Sequence, residues 1–143
     1  MEIRHGEGTP WVDPDAYVAP TAVLSGAVRV GPGSCVLHGA VLSADGGAVE
    51  IGANSVIMEH AVLRGTPRHP LTIGDHVLAG PHSYLSGCTI GAEVFIATGA
   101  MVFNGAQMGR ASSAADRGEQ MRTAMRRYTR FLARSHHDDE PVR

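Results

Sequence analysis

The sequence is poor in the residues that usually enlarge or staple the core of a small domain. Only 5% of its 143 residues are aromatic, and its two cysteines, Cys35 and Cys88, form no CxxC pair. A chain of this length can bury a core without disulfides or metal ions. We therefore expect one domain with two free thiols and a core of small and aliphatic side chains, which favours a repetitive β architecture.

Long apolar runs and a strong excess of charge are also absent. Glycine, proline or a charged residue interrupts every stretch before the ~18 to 20 apolar residues of a membrane span accumulate. The formal net charge of −2 gives no general attraction to nucleic acid or to an anionic membrane surface. Residues 1–5 (MEIRH) contain no apolar export segment. We expect a cytoplasmic protein with neither a nucleic acid nor a membrane as partner.

A period of six residues runs through most of the chain. Mostly aliphatic residues recur every six positions in four blocks, at Val12, Val18, Leu24, Val30, Val36 and Leu42, then Ile51, Ile57 and Leu63, then Ile73, Ala79 and Leu85, then Ile90, Ile96, Val102 and Met108. A helix has a period of 3.6 residues and an extended strand a period of two. A period of six indicates a short strand, a tight turn and a return of the next aliphatic residue to the interior.

Three such units close one triangular turn, and successive turns stack at the ~4.8 Å spacing of paired strands. The sixteen units therefore predict an all-β parallel β-helix of about five turns over residues 12–112, after a lead-in at residues 1–11. The left-handed winding of this coil is implied by its resemblance to hexapeptide-repeat proteins. It does not follow from the spacing.

Two insertions break the period. The steps from 42 to 51 and from 63 to 73 span nine and ten residues, and the step from 85 to 90 spans five. All three follow the third unit of a turn, so they lie at one corner of the coil. Residues that leave a regular scaffold often carry function. This corner is therefore a candidate functional edge, with neutral variation in loop length as the alternative.

The six-residue period ends after Met108. Residues 113–116 (SAAD) resemble a helix-starting capping box, and an apolar stripe follows at Met121, Met125, Tyr128 and Leu132. We predict a C-terminal amphipathic α-helix at residues 113–135 and a disordered tail at residues 136–143. A helix docked along the coil is favoured over one that binds a membrane or an acidic partner.

Residues 51–56 (IGANSV) and 85–91 (LSGCTIG) resemble the γ-class carbonic anhydrase family of left-handed β-helix proteins. The resemblance extends over roughly residues 10–110. It implies a homotrimer with a zinc ion between subunits, held by three histidines. The positions that would match those histidines carry Arg64, Pro81 and Ser86. Of the residues that support the site in the family, only Asp45 is retained.

These replacements argue against zinc chemistry. Catalytic zinc requires about three protein ligands with nitrogen, sulfur or oxygen donors, whereas Arg64 is permanently charged and Pro81 has no donor atom. No cofactor is therefore predicted. Our main hypothesis is a homotrimer with a degenerate inter-subunit site that is catalytically silent, or that binds a small anionic ligand through Arg64, Ser86 and Asp45 without a metal.

Two histidines support alternative hypotheses. His60 and His82 each follow a residue of one predicted column by three positions, so we expect them to be neighbours one rung apart, close to Glu59 and His38. Such a pair could act as a general base in acyl transfer from acyl-CoA, or hold a displaced metal in a hydratase with rearranged ligands. Solvent-facing turn residues are the third possibility. Whether the protein is an enzyme stays open, with acyl transfer preferred to carbonic anhydrase chemistry. His69 and His76 are interpreted as loop and turn residues.

Overall fold

The computed structural model describes residues 1–109. The predicted helix at residues 113–135 and the tail at residues 136–143 lie outside the described residues. Within residues 1–109 the regular secondary structure consists of strands. They are β1 (Glu2–Ile3), β2 (Trp11–Val12), β3 (Tyr17–Val18), β4 (Val23–Val30), β5 (Cys35–Val36), β6 (Val41–Ile51), β7 (Val56–Ile57), β8 (Val62–Arg64), β9 (Leu71–Ile73), β10 (Leu78–Ala79), β11 (Tyr84–Ser86), β12 (Thr89–Ile90), β13 (Phe95–Ile96), β14 (Met101–Val102) and β15 (Gln107–Met108).

The strands pair in parallel and wind into a coil of about five turns, which confirms the predicted left-handed β-helix. The sixteen periodic residues lie in register as three columns. The first column is Val12, Val30, Ile51, Ile73, Ile90 and Met108. The second is Val18, Val36, Ile57, Ala79 and Ile96. The third is Leu24, Leu42, Leu63, Leu85 and Val102.

The columns fill a narrow apolar interior. Leu42, Ile57 and Leu63 are fully buried at the middle of the coil, whereas Val12 and Val102 near its ends are only partly buried. Small residues such as Ala22 and Ala40, four positions after a column residue, are buried as well because the chain turns inward there. The interior therefore has room for aliphatic side chains but not for large rings.

A second apolar cluster lies on the outer side of the second column. Cys35, Leu37 and Val56 are 0 to 2% exposed and form a group separate from the interior core. Neighbouring residues of a strand point to opposite faces, and Val36 and Ile57 belong to the interior. Cys35 and Val56 therefore point outward. The six-residue period did not indicate that this outer face is buried.

Two corners of the coil carry the candidate functional residues. The insertion corner joins the third column to the first column of the next turn, and comprises residues 25–29, 43–50, 64–72, 86–89 and 103–107. The histidine corner joins the second column to the third, and comprises residues 19–23, 37–41, 58–62, 80–84 and 97–101.

Strands β4 and β6 run through the insertion corner without a break. The lead-in contributes β1, which pairs with β4 below the third column.

Candidate functional site

The two insertions pack against each other at the insertion corner. A β-carbon at Gly47 would collide with the carbonyl oxygen of Thr66, and one at Gly65 would collide with that of Gly47. The Gly65 amide also donates a hydrogen bond of 3.0 Å to the Ser43 carbonyl. The absence of side chains at Gly47 and Gly65 allows this close approach, so the insertions are mutually supported.

The carboxylate of Asp45 is held by hydroxyl groups from two rungs. The Ser25 hydroxyl donates to it at 2.6 Å and the Ser43 hydroxyl at 3.1 Å. The Nδ1 atom of His5 lies 3.8 Å away. The Ser25 hydrogen bond lowers the pKa of Asp45, with smaller contributions from Ser43 and from the charges of His5 and Arg64. Asp45 therefore stays ionised and is oriented by neighbours on its own side of the corner.

Arg64 lies in register between Ser43 on the rung below and Ser86 on the rung above. Its side chain is exposed. Within residues 1–109 the guanidinium makes no hydrogen bond or ion pair, although its charge acts on Asp45 at longer range. Ser86 is 6% exposed and its hydroxyl donates to Oδ1 of Asn104 at 2.8 Å. Among residues 1–109 the Arg64 guanidinium thus has no direct partner, whereas the Ser86 hydroxyl is bound to Asn104.

The residues at the three positions implied for zinc ligands do not form a zinc site. Arg64 and Ser86 share the insertion corner, but Pro81 lies at the histidine corner of the same chain. A guanidinium, a proline ring and a hydroxyl bound to Asn104 offer no set of zinc donors. Among residues 1–109 no group of three or more histidine, cysteine, aspartate or glutamate side chains is placed to hold a metal ion.

The histidine corner brings His60 and His82 together, as their spacing predicts. Their rings are stacked with centroids 5.2 Å apart and planes inclined by 16°. The His60 amide donates to the His38 carbonyl at 3.1 Å, and the His82 amide donates to the Glu59 carbonyl at 3.0 Å. The two imidazoles and the backbone of His38 and Glu59 thus share one corner. A catalytic role for His60, His82 and Glu59 stays a prediction.

Sequence reasoning missed a cleft beside the second insertion. Its volume is about 250 Å³, and its lining residues are His69, Pro70, Gly87, Thr89, Gly105, Ala106 and Gln107. His69 exchanges two backbone hydrogen bonds with Thr66, and its side chain lies over Gly87 and Gly105. The interpretation of His69 as a loop residue was therefore incomplete. The sequence signal that could have indicated this cleft is the pair Gly87 and Gly105. They are 18 residues apart and therefore lie one turn apart, above the second insertion.

The fold and the two corners define a hexapeptide-repeat β-helix protein. No protein-family model matches the sequence. The chain is 40% identical over 98 residues to "Gamma carbonic anhydrase 3, mitochondrial" of Arabidopsis thaliana, and the match covers 64% of this chain and 38% of the relative. It is also 40% identical over 98 residues to "Gamma carbonic anhydrase-like 2, mitochondrial" of the same plant, with the same coverage. These homologues confirm the resemblance to γ-class carbonic anhydrases and γ-carbonic-anhydrase-like proteins.

A solved structure supports the fold over nearly the whole chain. A hexapeptide transferase family protein from Anaplasma phagocytophilum superposes with a TM-score of 0.76 at 18% identity, covering 95% of this chain and 98% of that chain. This likeness concerns the fold alone. The described residues contain no helix long and apolar enough to cross a membrane. The cytoplasmic location stays a prediction.

Proposed function

We propose that the protein is a homotrimer that binds a small oxyanion at the insertion corner through Arg64, without a metal ion. The observation that carries this proposal is the exposed Arg64 guanidinium, which makes no hydrogen bond or ion pair within residues 1–109. Its potential partner Asp45 is engaged by Ser25, Ser43 and His5 instead. The cation therefore stands at the end of β8 and has no direct partner among residues 1–109.

The chemistry of Arg64 fits a planar or tetrahedral oxyanion. A guanidinium presents five N–H donors in a fixed fork that can bind carboxylate, bicarbonate or phosphate in a bidentate manner. Asp45 was expected among the anion-binding residues, but its carboxylate carries a like charge and disfavours an anion on its own side of the corner, so in this proposal it limits the site and does not bind the ligand. The cleft of about 250 Å³ beside His69 lies at the same corner and provides room for a small substituent on the anion. In this proposal the Ser86 hydroxyl orients the Asn104 side chain. It binds the ligand only when its hydrogen bond to Asn104 is replaced by a hydrogen bond to the ligand.

Trimer formation is supported by the resemblance and by the surface of the coil. Phe95, Met101 and Phe103 are 58 to 61% exposed in the single chain. Flat coil faces with exposed apolar side chains are suited to closed rotational packing. Light scattering after size-exclusion chromatography tests the oligomer, for which three chains of 15.0 kDa give about 45 kDa. A mass close to 15.0 kDa at micromolar concentration would refute the trimer.

Calorimetric titration with bicarbonate, acetate and phosphate tests the anion site. The Arg64→Ala variant should bind its preferred anion about 10- to 100-fold more weakly, since a hydrogen bond to a charged group contributes about 1.5 to 3 kcal/mol. Arg64→Lys should retain part of the affinity because it keeps the charge but loses the fork. Arg29→Ala is a matched control, since Arg29 is a cation that lies over the Trp11 ring, 4.9 Å from its centroid. Equal binding by all four proteins would refute the site.

The stacked histidines support a second candidate, acyl transfer with a histidine as general base. An exposed imidazole can remove a proton from a hydroxyl or amine while an acyl-CoA thioester is attacked. The test is release of CoA from acetyl-CoA in the presence of a panel of small amines and alcohols. Turnover that His82→Ala abolishes and Arg64→Ala preserves would favour this candidate over simple anion binding. Equal turnover by His82→Ala and the native protein would reject it.

A further inference from the structure

The outer face of the second column carries an apolar strip on its three middle rungs. The members of this outer strip directly precede or follow the column residues, and they are Cys35, Leu37, Val56, Met58 and Leu78. Neighbouring residues of a strand point to opposite faces, so these side chains point away from the interior. At the ~4.8 Å spacing of paired strands the strip is about 10 Å tall, close to two turns of an α-helix.

The outer strip is buried more deeply than the flat shape of its face explains. Cys35 and Val56 are 0% exposed in the single chain, so no second copy contributes to their burial. Val41 and Val62 hold the equivalent outward positions beside the third column on the same two turns, and both remain partly exposed. Each pair is flanked by parallel strands in the same way. The second face therefore requires a covering layer that the third face lacks.

The corners on both sides of this face are acidic. One is the histidine corner, and the other joins the first column to the second at residues 13–17, 31–35, 52–56, 74–78 and 91–95. Together they contain no lysine or arginine and five carboxylates, which belong to Asp13, Asp15, Glu59, Asp75 and Glu93. Such charges attract a cationic segment within the ~10 Å Debye length at 0.1 M ionic strength. The face therefore suits a partner that is apolar along one stripe and basic beside it.

Residues 113–135 of the same chain have this chemistry. The predicted helix carries its apolar stripe at Met121, Met125, Tyr128 and Leu132. These positions span about 16 Å at 1.5 Å per helical residue, which is long enough for the outer strip. The same range contains six arginines and two carboxylates, so it is basic as well as amphipathic.

The exposure of Phe95 agrees with the order of these residues along the chain. Phe95 continues the second face onto the top rung, yet it is 58% exposed. Strand β15 ends at Met108 at the same end of the coil, and residues 110–120 (RASSAADRGEQ) contain no large apolar side chain. A segment that leaves the coil there passes Phe95 without an apolar contact and reaches the outer strip with Met121.

From these observations we infer that the apolar stripe of residues 121–132 docks on the outer strip of its own chain, and that its arginines face the two acidic corners. The segment descends from the top of the coil across the three middle rungs. It closes an apolar surface that would otherwise be open to water, and Cys35 lies beneath it. The insertion corner lies opposite this face, so the inference does not depend on the anion proposed at Arg64.

The test compares alkylation of the two thiols in the full chain at pH 8. Cys35 belongs to the outer strip, whereas Cys88 belongs to the interior core and serves as an internal control. The double variant Met125→Ser/Tyr128→Ser weakens the stripe, so the docked segment should open more often. Its Cys35 should then react with iodoacetamide about tenfold faster or more, measured by mass spectrometry of the peptides, while Cys88 stays slow.

Thr123→Ser/Arg130→Ser is the matched control, since it places two serines on the side of the predicted helix opposite the stripe. Both thiols should react as slowly in this control as in the native chain. Equal rates for Cys35 in the native chain and in the stripe variant would overturn the inference, as would equal acceleration of Cys35 in the control.

A second measurement uses the native chain and decides the question if the stripe variant unfolds and exposes both thiols. With ¹³C-labelled methionine methyl groups, nuclear Overhauser effects should connect Met121 or Met125 with Val56 or Leu78. Mixtures of labelled and unlabelled chains distinguish contacts within one chain from contacts between copies. Contacts between copies only, or no contacts at all, would refute docking on the same chain.

Discussion

Replacement of Leu63 by alanine tests whether the periodic residues fill a closed interior. Leu63 is fully buried at the middle of the third column, between Leu42 below and Leu85 above. The substitution removes three carbon atoms, which corresponds to about 2.4 kcal/mol of lost transfer free energy. The adjacent rungs are fixed by backbone hydrogen bonds and cannot collapse fully, so a residual cavity of about 60 Å³ adds about 1.4 kcal/mol. Together these effects predict that the free energy of unfolding falls by about 4 kcal/mol.

The assay is urea denaturation followed by circular dichroism, at one fixed protein concentration because an oligomer's stability depends on concentration. Arg68→Ala is the control, since Arg68 is exposed in the second insertion and belongs neither to the interior nor to the apolar surface proposed for the trimer. Its effect should be within about 0.5 kcal/mol. If Leu63→Ala cost less than about 1 kcal/mol, its side chain would not lie in a closed interior and the assignment of the columns would be refuted.

Three further predictions concern the described corners and thiols. The Ser25 hydrogen bond holds the pKa of Asp45 in the folded chain below the ordinary aspartate value of about 3.9, so the contribution of Asp45 to stability is present above about pH 4 and is lost as acidification passes the folded pKa. A native pKa at or above that of the unfolded chain, measured by NMR titration, would contradict this. Burial raises the pKa of both Cys35 and Cys88 to about 11, so both should react slowly with Ellman's reagent at pH 8 and rapidly in urea; rapid reaction of the native protein would count against it. Gly47→Ala should lower the free energy of unfolding by about 1 to 3 kcal/mol because its β-carbon would clash with the Thr66 carbonyl. Gly109→Ala, where no atom of residues 1–109 lies within 4 Å of the added β-carbon, should have no such effect.

The columns could be predicted from sequence because one rule determines them. A six-residue period places Ile57 and Ala79 on the same side of successive turns, and the structure pairs them in register. The proximity of His60 and His82 follows from the same rule, since each stands three residues after its column residue. Regular turns transmit register from the interior to the surface, so even exposed turn residues were predictable wherever the period was unbroken.

The insertion corner was only partly predictable, because insertions remove the period that relates sequence to position. Asp45 and Arg64 were identified by resemblance, but the engagement of Asp45 by Ser25 and His5 depends on how separate segments pack. Strand β1 is two residues long and carries no periodic signal. The position of His69 over Gly87 depends equally on the path of a loop. Such contacts arise from tertiary packing, which local spacing does not encode.

The contrast between Asp45 and Arg64 is the physical basis of the proposed metal-free site. Strands of the β-helix hold side chains of successive rungs at one corner whether or not a metal is bound. With arginine at a position that would otherwise supply a ligand, the corner has a fixed positive charge, and a nearby dication is repelled. Asp45 does not cancel that charge directly, because two serine hydroxyls and His5 hold its carboxylate. The proposed anion would therefore meet a positive charge at this corner that has no direct partner among residues 1–109.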